Sequence, residues 1–184
     1  QSACAKQPFL PDFWQAPADD PRRSQAGVWH AVTYGPVGRR VQVILLDTRG
    51  QRGPLRAVPA PEGQLGVRYA PSEDPTSLML GEDQWAWLEG LLRQPAEVRL
   101  IVSSIQVIAD RHPFERWGNL PHEQARLFAL IARTQAAGVV LLSGDRHVGG
   151  YYRWPGAPYA VPELTSSSLN RTFGRDEEDA ARVG

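Results

Sequence analysis

The sequence predicts an α/β fold, and two observations support this prediction. First, apolar strands alternate with amphipathic helices, since candidate helices 82–93 and 121–137 separate candidate strands at 41–46, 98–102 and 139–142. Second, these strands are apolar throughout, which is typical of strands covered on both faces of a sheet. This order predicts a sheet covered by helices, with ligands at the carboxyl ends of its strands.

The N-terminal part predicts a short helix or surface segment followed by a hairpin. Residues 7–23 combine aromatic side chains with several prolines. Residues 28–34 alternate in polarity, residues 35–38 (GPVG) form a turn, and 41–46 is a continuous apolar run, so the second strand of the hairpin is expected to be buried. Residues 50–75 are rich in glycine and proline with little periodicity, which indicates a functional or subdomain loop.

Helical spacing is clear in two segments. Segment 82–93 has acidic residues in its first turn and leucines and tryptophan on one face. Segment 121–137 begins at Pro121 and ends before Gly138, as proline and glycine favour. Its inner side is expected to hold Ala125, Phe128, Ile131 and Ala132.

The C-terminal part contains two further candidate strands, 151–154 and 159–164, after the buried strand 139–142. A serine-rich segment, 165–168, follows them. The charged tail 171–184 is expected to be a solvated helix or a frayed end.

Composition excludes several classes of function. The 184 residues contain 20 basic and 20 acidic side chains, so no net field favours nucleic acid or an anionic membrane. Cys4 is the only cysteine, which excludes an intrachain disulfide and a metal site built on several thiolates. No apolar run approaches the ~20 residues that span a bilayer.

Asp145 and His147 are the most informative polar pair, because they follow the buried strand 139–142 directly. An Asp-X-His turn in this place can direct a carboxylate oxygen and an imidazole nitrogen at one metal ion. The same tripeptide also fits an aspartate that caps a turn beside a surface histidine. The tripeptide alone leaves both interpretations open.

The segment VVLLSGDRHVGGYYR resembles the last motif of calcineurin-like metallophosphoesterases, in the Gly-Asp-X-His variant of the alkaline phosphatase D-like (PhoD-like) family. Other segments resemble that family in the same order along the chain. They are FLPDFWQAPADDPRR, RRVQVILLDTRGQR, LMLGEDQWAWLEGLL, IVSSIQVIADRHPFERWGNLPHEQARLF and ELTSSSLNRTF, the last with Ser168 where the family has glycine.

This resemblance implies the C-terminal part of a two-sheet metallophosphoesterase sandwich flanked by helices. It also implies hydrolysis of phosphate esters by an alkaline phosphatase or phosphodiesterase that binds two or more metal ions, in the periplasm or outside the cell. His147 and Asp145 are then metal ligands. An aspartate where other calcineurin-like enzymes carry histidine favours calcium, magnesium or ferric iron over zinc.

Two more residues are candidates for the substrate-binding site or for support of the ligands. Gln106 follows strand 98–102 where relatives place another ligand, so it is expected either to touch metal, water or phosphate or to satisfy a local backbone group. Arg49 follows strand 41–46 and is expected to bind phosphate or to pair with Asp47.

Other polar residues are weaker candidates. His112, Glu115 and Trp117 occupy a loop that is expected to border the pocket. Ser166 and Ser167 lack the Gly-X-Ser-X-Gly context of a nucleophile and are expected to be loop hydrogen-bonding groups.

The metal-binding segments that open a calcineurin-like site, Asp-X-His, Gly-Asp and Gly-Asn-His or the family's Asp-Asp-His-Asp, do not occur in this sequence. Residues 1–184 are therefore expected to be the C-terminal portion of one domain whose N-terminal metal-binding half is absent. Such a fragment is expected to be inactive alone. The alternative is a non-catalytic remnant or interaction module, and a serine hydrolase is disfavoured because its Asp-X-X-His ending needs one more residue.

Overall fold

The computed structural model describes residues 9–62, 67–156 and 159–168. The predicted tail 171–184 and Cys4 lie outside these residues. The helices are α1 (Phe9–Phe13), α2 (Glu82–Leu92) and α3 (Pro121–Arg133), and the strands are β1 (His30–Tyr34), β2 (Val41–Leu45), β3 (Arg56–Val58), β4 (Arg68–Ala70), β5 (Val98–Ser103), β6 (Val139–Ser143), β7 (Gly149–Trp154) and β8 (Val161–Ser166).

The main sheet has six strands in the order β1-β2-β5-β6-β8-β7. The four inner strands, β2, β5, β6 and β8, are parallel, while β1 and β7 pair antiparallel at the two edges. The α/β prediction is confirmed. Because the inner strands are parallel, their carboxyl ends meet along one edge of the sheet.

Helices α2 and α3 cover one face of this sheet. Each lies in a connection between neighbouring parallel strands, and both connections step in the same direction along the sheet. Right-handed crossovers in the same direction place their helices on the same face. The core is therefore built between the helices and the sheet from Ile44, Leu88, Ile101, Ile131 and Leu141, all essentially without solvent exposure.

The other face of the sheet is largely exposed, and the strand register identifies it. Leu45 of β2 pairs with Val102 of β5, which pairs with Leu142 of β6, which pairs with Leu164 of β8. The apolar side chains that share this face, called the open face below, include the exposed Val32, Tyr34, Leu45, Val98, Tyr151 and Leu164 and the half-buried Val43, Leu100, Val102, Val140 and Leu142.

Within the described part of the chain, these strands are therefore covered on one face only. Strand β2 alternates between buried and more exposed positions, with Ile44 fully buried and Leu45 39% exposed. The strand positions on the open face are apolar and together form a large hydrophobic surface. In a monomeric protein such a surface usually marks an interaction site.

The structure also corrects two local expectations. Helix α3 ends at Arg133, before residue 137, because the Thr134 hydroxyl donates to the carbonyl of Leu130 and Gln135 adopts a positive φ of 53°. Ala125 is exposed and Ala132 half-buried, so Leu127 and Leu130 join Phe128 and Ile131 on the inner side. Segment 50–75 contains β3 and β4, which form a small two-stranded sheet.

Candidate metal and phosphate site

Four loops meet at the carboxyl edge of the sheet. They follow β2, β5, β6 and β8, the four parallel strands. The hydroxyl oxygens of Thr48 and Ser104 lie 2.5 Å apart and join the first two loops. The backbone N–H of His147 donates to Ser167 Oγ at 3.3 Å and joins the last two, so Ser167 has the hydrogen-bonding role predicted for it.

The turn after β6 carries the two predicted metal ligands in an uncommon backbone conformation. Asp145 and His147 both have positive φ, 73° and 56°, which costs on the order of 1 kcal/mol for a residue other than glycine. Arg146 between them is buried, and its guanidinium carbon lies 4.3 Å from the centre of the Phe114 ring. This cation–π contact fixes Arg146, the central residue of the turn, against Phe114. Asp145 is exposed and His147 half-buried at this edge.

Arg49 connects the loops that follow β2 and β6. Its Nη1 lies 2.5 Å from Glu115 Oε2, and its Nη2 lies 3.7 Å from Asp145 Oδ1. Asp47 is not its ion-pair partner, since the Asp47 carboxylate accepts the backbone N–H groups of Arg49, Gly50 and Val28. The predicted Arg49–Asp47 salt bridge is thus wrong, because the Asp47 carboxylate accepts backbone N–H groups and does not pair with the Arg49 guanidinium.

Glu115 holds Arg49 and Arg52 together. Arg52 Nη2 lies 3.0 Å from Glu115 Oε1. Burial opposes ionisation of this carboxyl, but Arg52 and Arg49 outweigh the burial and lower the pKa of Glu115. Arg49 keeps a side-chain exposure of 48%, so its guanidinium remains accessible to an anion.

Gln106 lies beneath this edge and is completely buried. Its Nε2 donates to Thr165 Oγ1 at 3.0 Å, and Thr165 Oγ1 lies 2.8 Å from Ser143 Oγ. The side chain does not satisfy a local backbone group, which was one of its two expected roles. Its Oε1 is buried without a hydrogen-bond partner in the described part of the chain.

The loop 111–117 differs from its prediction. Trp117 is completely buried and donates from Nε1 to Ser103 Oγ at 3.0 Å, so it belongs to the core. His112 is also buried, and burial, with smaller contributions from Arg146 and Arg116, lowers the pKa of its imidazole to about 3. Of the three residues expected to border the pocket, Glu115 contacts Arg49, whereas His112 and Trp117 are buried.

The donor set fits part of a metal site. A carboxylate oxygen, an imidazole nitrogen and a buried carboxamide oxygen are ligands that calcium, magnesium, iron or zinc accept. Among the described residues, no group of three or more His, Cys, Asp or Glu side chains is close enough to hold an ion. Asp145 and His147 therefore represent fewer ligands than a closed coordination sphere requires.

Sequence reasoning missed Glu163, Arg52 and Arg146. Glu163 is completely buried in β8, and burial raises the pKa of its carboxyl although Ser143 and backbone N–H groups oppose the rise. A glutamate between Val161 and Thr165, at an inward position of β8, was the available signal for Glu163. Nothing in the sequence indicated that Arg52 and Arg146 turn toward this edge.

No helix in the described part of the chain is long and apolar enough to cross a membrane.

A search of curated proteins finds no match. A solved structure described as the structure of PhoD is similar in fold, with a TM-score of 0.57 and 19% identity, over 77% of this chain and 28% of that chain. This chain thus spans less than a third of the length of that protein. The family model described as PhoD-like phosphatase matches residues 3–183. The chain therefore belongs to the PhoD-like phosphatase family.

Proposed function

We propose that this chain is the C-terminal portion of a metal-dependent phosphoric ester hydrolase. The observation that carries the proposal is the convergence of Arg49 and Asp145 at the carboxyl edge of the sheet, in a chain of this family. Ligand sites of α/β sheets lie at this edge. A carboxylate for a cation and an accessible guanidinium for a phosphate, on neighbouring loops, fit a phosphate ester bound beside a metal ion.

Asp145 and His147 are the proposed metal ligands of this chain. Bound metal ions polarise a phosphoryl oxygen and lower the pKa of bound water. The carboxylate of Asp145 favours a hard ion such as calcium, magnesium or ferric iron over zinc. The left-handed backbone at Asp145 and His147 fits a turn whose strain serves a ligand site.

Arg49 is the proposed phosphate-binding residue. Its guanidinium presents paired N–H donors that match two phosphate oxygens. Glu115 holds the other side of the guanidinium, which limits its rotamers before substrate arrives. A bound phosphate would compete with the 3.7 Å contact between Arg49 and Asp145, and the Asp145 carboxylate would then be available to a metal ion.

We propose that catalysis requires metal ligands in addition to those among the described residues. Two ligands do not complete a site for two metal ions, and the open face of the sheet fits a second packing layer. Both point to an upstream portion that supplies the remaining ligands and covers the open face. The alternative, a non-catalytic remnant that acts through protein contacts, is favoured by the small number of ligands among the described residues.

The test uses the full-length protein that contains this chain. We expect hydrolysis of p-nitrophenyl phosphate or bis-p-nitrophenyl phosphate at neutral to alkaline pH, loss of turnover after exhaustive chelation, and recovery when one of the candidate ions is restored. Hydrolysis that persists after verified removal of metal would contradict the metal-dependent mechanism. Absence of turnover in a metal-loaded full-length protein would favour the remnant.

A further inference from the structure

Phe114 is an aromatic residue to which the proposed function gives no role. It lies half-buried in the loop after β5, and the guanidinium carbons of Arg68 and Arg146 lie 4.5 and 4.3 Å from the centre of its ring. Both arginine side chains are buried. A cation is attracted to the negative face of an aromatic ring, and this attraction is strongest away from water. The Phe114 ring therefore joins β4 to the turn after β6.

The loop around Phe114 fixes the backbone that carries the ring. The Phe114 N–H donates to His112 Nδ1 at 3.2 Å, and the Phe114 carbonyl oxygen accepts from Arg116 Nη1 at 3.2 Å. The Tyr69 N–H donates to the carbonyl oxygen of Pro113 at 2.7 Å, which holds the loop against β4. Because His112 and Arg116 are buried, the ring is attached to a well-packed part of the loop.

The turn that carries the proposed metal ligands needs support of this kind. Asp145 and His147 have φ of 73° and 56°. This left-handed conformation is unfavourable for residues other than glycine and persists where neighbouring contacts impose it. The His147 N–H donates to Ser167 Oγ at 3.3 Å, which restrains one end of the turn. The Arg146 side chain restrains the middle through its contact with Phe114.

The same loop also holds the proposed phosphate-binding residue. Glu115 follows Phe114 directly, and its Oε2 lies 2.5 Å from Arg49 Nη1. Adjacent residues of one loop thus contact the arginine in the ligand turn and the arginine proposed to bind phosphate. A displacement of Arg146 from the ring would therefore also move the ligand turn relative to Arg49.

We propose that Phe114 is a positioning residue, whose ring holds Arg146 and thereby keeps Asp145 and His147 in the conformation that binds metal. The metal part of this inference rests on the proposed function, whereas the restraint of the turn does not. A simpler role for Phe114 is to fill space, which a ring of the same shape would do whatever its charge distribution. Dependence of metal binding on the electrons of the ring separates the two roles.

The experiment uses Phe114→fluorophenylalanine variants of the full-length protein that carry one, two or three ring fluorines. Fluorine withdraws electrons from the face of the ring and so weakens its attraction for a cation, while the shape of the ring stays nearly the same. Calcium and manganese dissociation constants are measured by competition with a chelator. The matched control is the same series at Phe128, whose ring stacks on Trp154 with 4.2 Å between ring centroids.

We expect metal binding to weaken with each added fluorine, by about 5-fold or more with three, because the cation–π attraction is lost in steps. The series at Phe128 should leave metal affinity unchanged. In Arg146→Met, which removes the cation that the turn places on the ring, fluorination of Phe114 should have no further effect. Equal metal affinity across the Phe114 series, or a full fluorine effect in Arg146→Met, would overturn the proposal.

Arg68 provides a second test of the same contact if Arg146→Met does not fold. Its guanidinium lies over the same ring but belongs to β4. In Arg68→Met the fluorine effect on metal affinity should persist, because Arg146 still contacts the ring. Loss of the fluorine effect in a folded Arg68→Met protein would overturn the proposal, since the effect would then depend on Arg68.

A further readout requires no metal. Trypsin cleaves after arginine, and Arg146 is buried, so cleavage between residues 146 and 147 requires the turn to open. In chelated protein, mass spectrometry should show this cleavage about 3-fold or more faster with three fluorines on Phe114 and unchanged with three on Phe128. Equal rates in the Phe114 variant and the wild type would overturn the restraint. If the wild-type protein binds neither ion, the proposed function fails, and the cleavage rates still support or overturn the role of Phe114 in the turn.

Discussion

The guanidinium of Arg49 and the carboxylate of Asp145 lie 3.7 Å apart, although they come from the loops after β2 and β6, strands separated in the sheet by β5. Parallel pairing of these three strands places both loops on one edge. At this distance the pair is a weak contact, and Arg49 has its closer partner in Glu115. The arrangement leaves both groups available to ligands of opposite charge.

Arg49→Ala is expected to weaken substrate binding in the full-length protein. Loss of a hydrogen bond between charged groups costs ~1.5–3 kcal/mol, which corresponds to a rise in KM of about 10-fold or more. The measurement is KM for p-nitrophenyl phosphate. Arg39→Ala, at an exposed arginine in the β1–β2 turn, is the control and should leave KM unchanged. An unchanged KM in Arg49→Ala would remove Arg49 from the phosphate site.

The 184-residue chain by itself is expected to associate and to have no metal-dependent phosphatase activity. Its open face exposes a broad apolar surface that water does not favour. Substituting Val32 and Leu164 with lysine should lower association, as measured by sedimentation velocity. Lysine at Ala129, which is exposed on α3, should leave association unchanged. A monomeric chain that melts cooperatively, retains metal and turns over p-nitrophenyl phosphate would contradict this expectation.

Two glycines are expected to respond in opposite ways to alanine. At Gly138, φ is 64° and a Cβ would lie 2.0 Å from the carbonyl oxygen of Glu97, so Gly138→Ala should destabilise the protein. At Gly90, within α2, a Cβ meets nothing within 4 Å. Gly90→Ala should therefore stabilise the helix by ~0.5–1 kcal/mol. Urea unfolding midpoints that move in the same direction for both variants would contradict this account of the turn before β6.

His112 is expected to lower stability in acid. Its pKa is about 3 in the folded protein and 6.5 for an ordinary histidine, so between these values the unfolded chain binds a proton that the folded protein excludes. The free energy of unfolding should fall by up to ~1.4 kcal/mol per pH unit as pH decreases from 6.5, and this contribution levels off near pH 3. The contribution of His112 is the difference between the free energies of urea unfolding of the wild type and His112→Gln, measured at several pH values. Parallel pH profiles for the two proteins would show that His112 takes up its proton in the folded state.

Much of the fold could be predicted because long segments carry a clear period. The apolar run of β6 and the face of α2 both follow from their side-chain spacing. Strands β3 and β4 could not be found, because three residues carry too little pattern to distinguish a strand from a loop. Trp117 was also misplaced, because local sequence gives too little pattern there. Its neighbours in sequence are polar and indicate a loop at the pocket border, but its side chain packs in the core.

The candidate site was predictable only in part. Asp145, His147, Gln106 and Arg49 each follow an apolar strand, and parallel strands bring such residues to one edge. The partners that determine their geometry are distant in sequence. Glu115 reaches Arg49 from the loop after β5, and Glu163 reaches Val107 and Ile108 from β8. Contacts of this kind depend on tertiary packing and leave no local pattern.

The most direct test of the account is metal binding by Asp145→Asn and His147→Asn in the full-length protein. Metal content after dialysis and turnover of p-nitrophenyl phosphate are measured together, with Asp83→Asn, at an exposed acid on α2, as the control. The account predicts that both site variants lose bound metal and at least about 10-fold of their turnover while remaining folded, and that the control changes neither. Full metal content and full turnover in a folded Asp145→Asn or His147→Asn protein would contradict the proposal that these residues bind the catalytic metal.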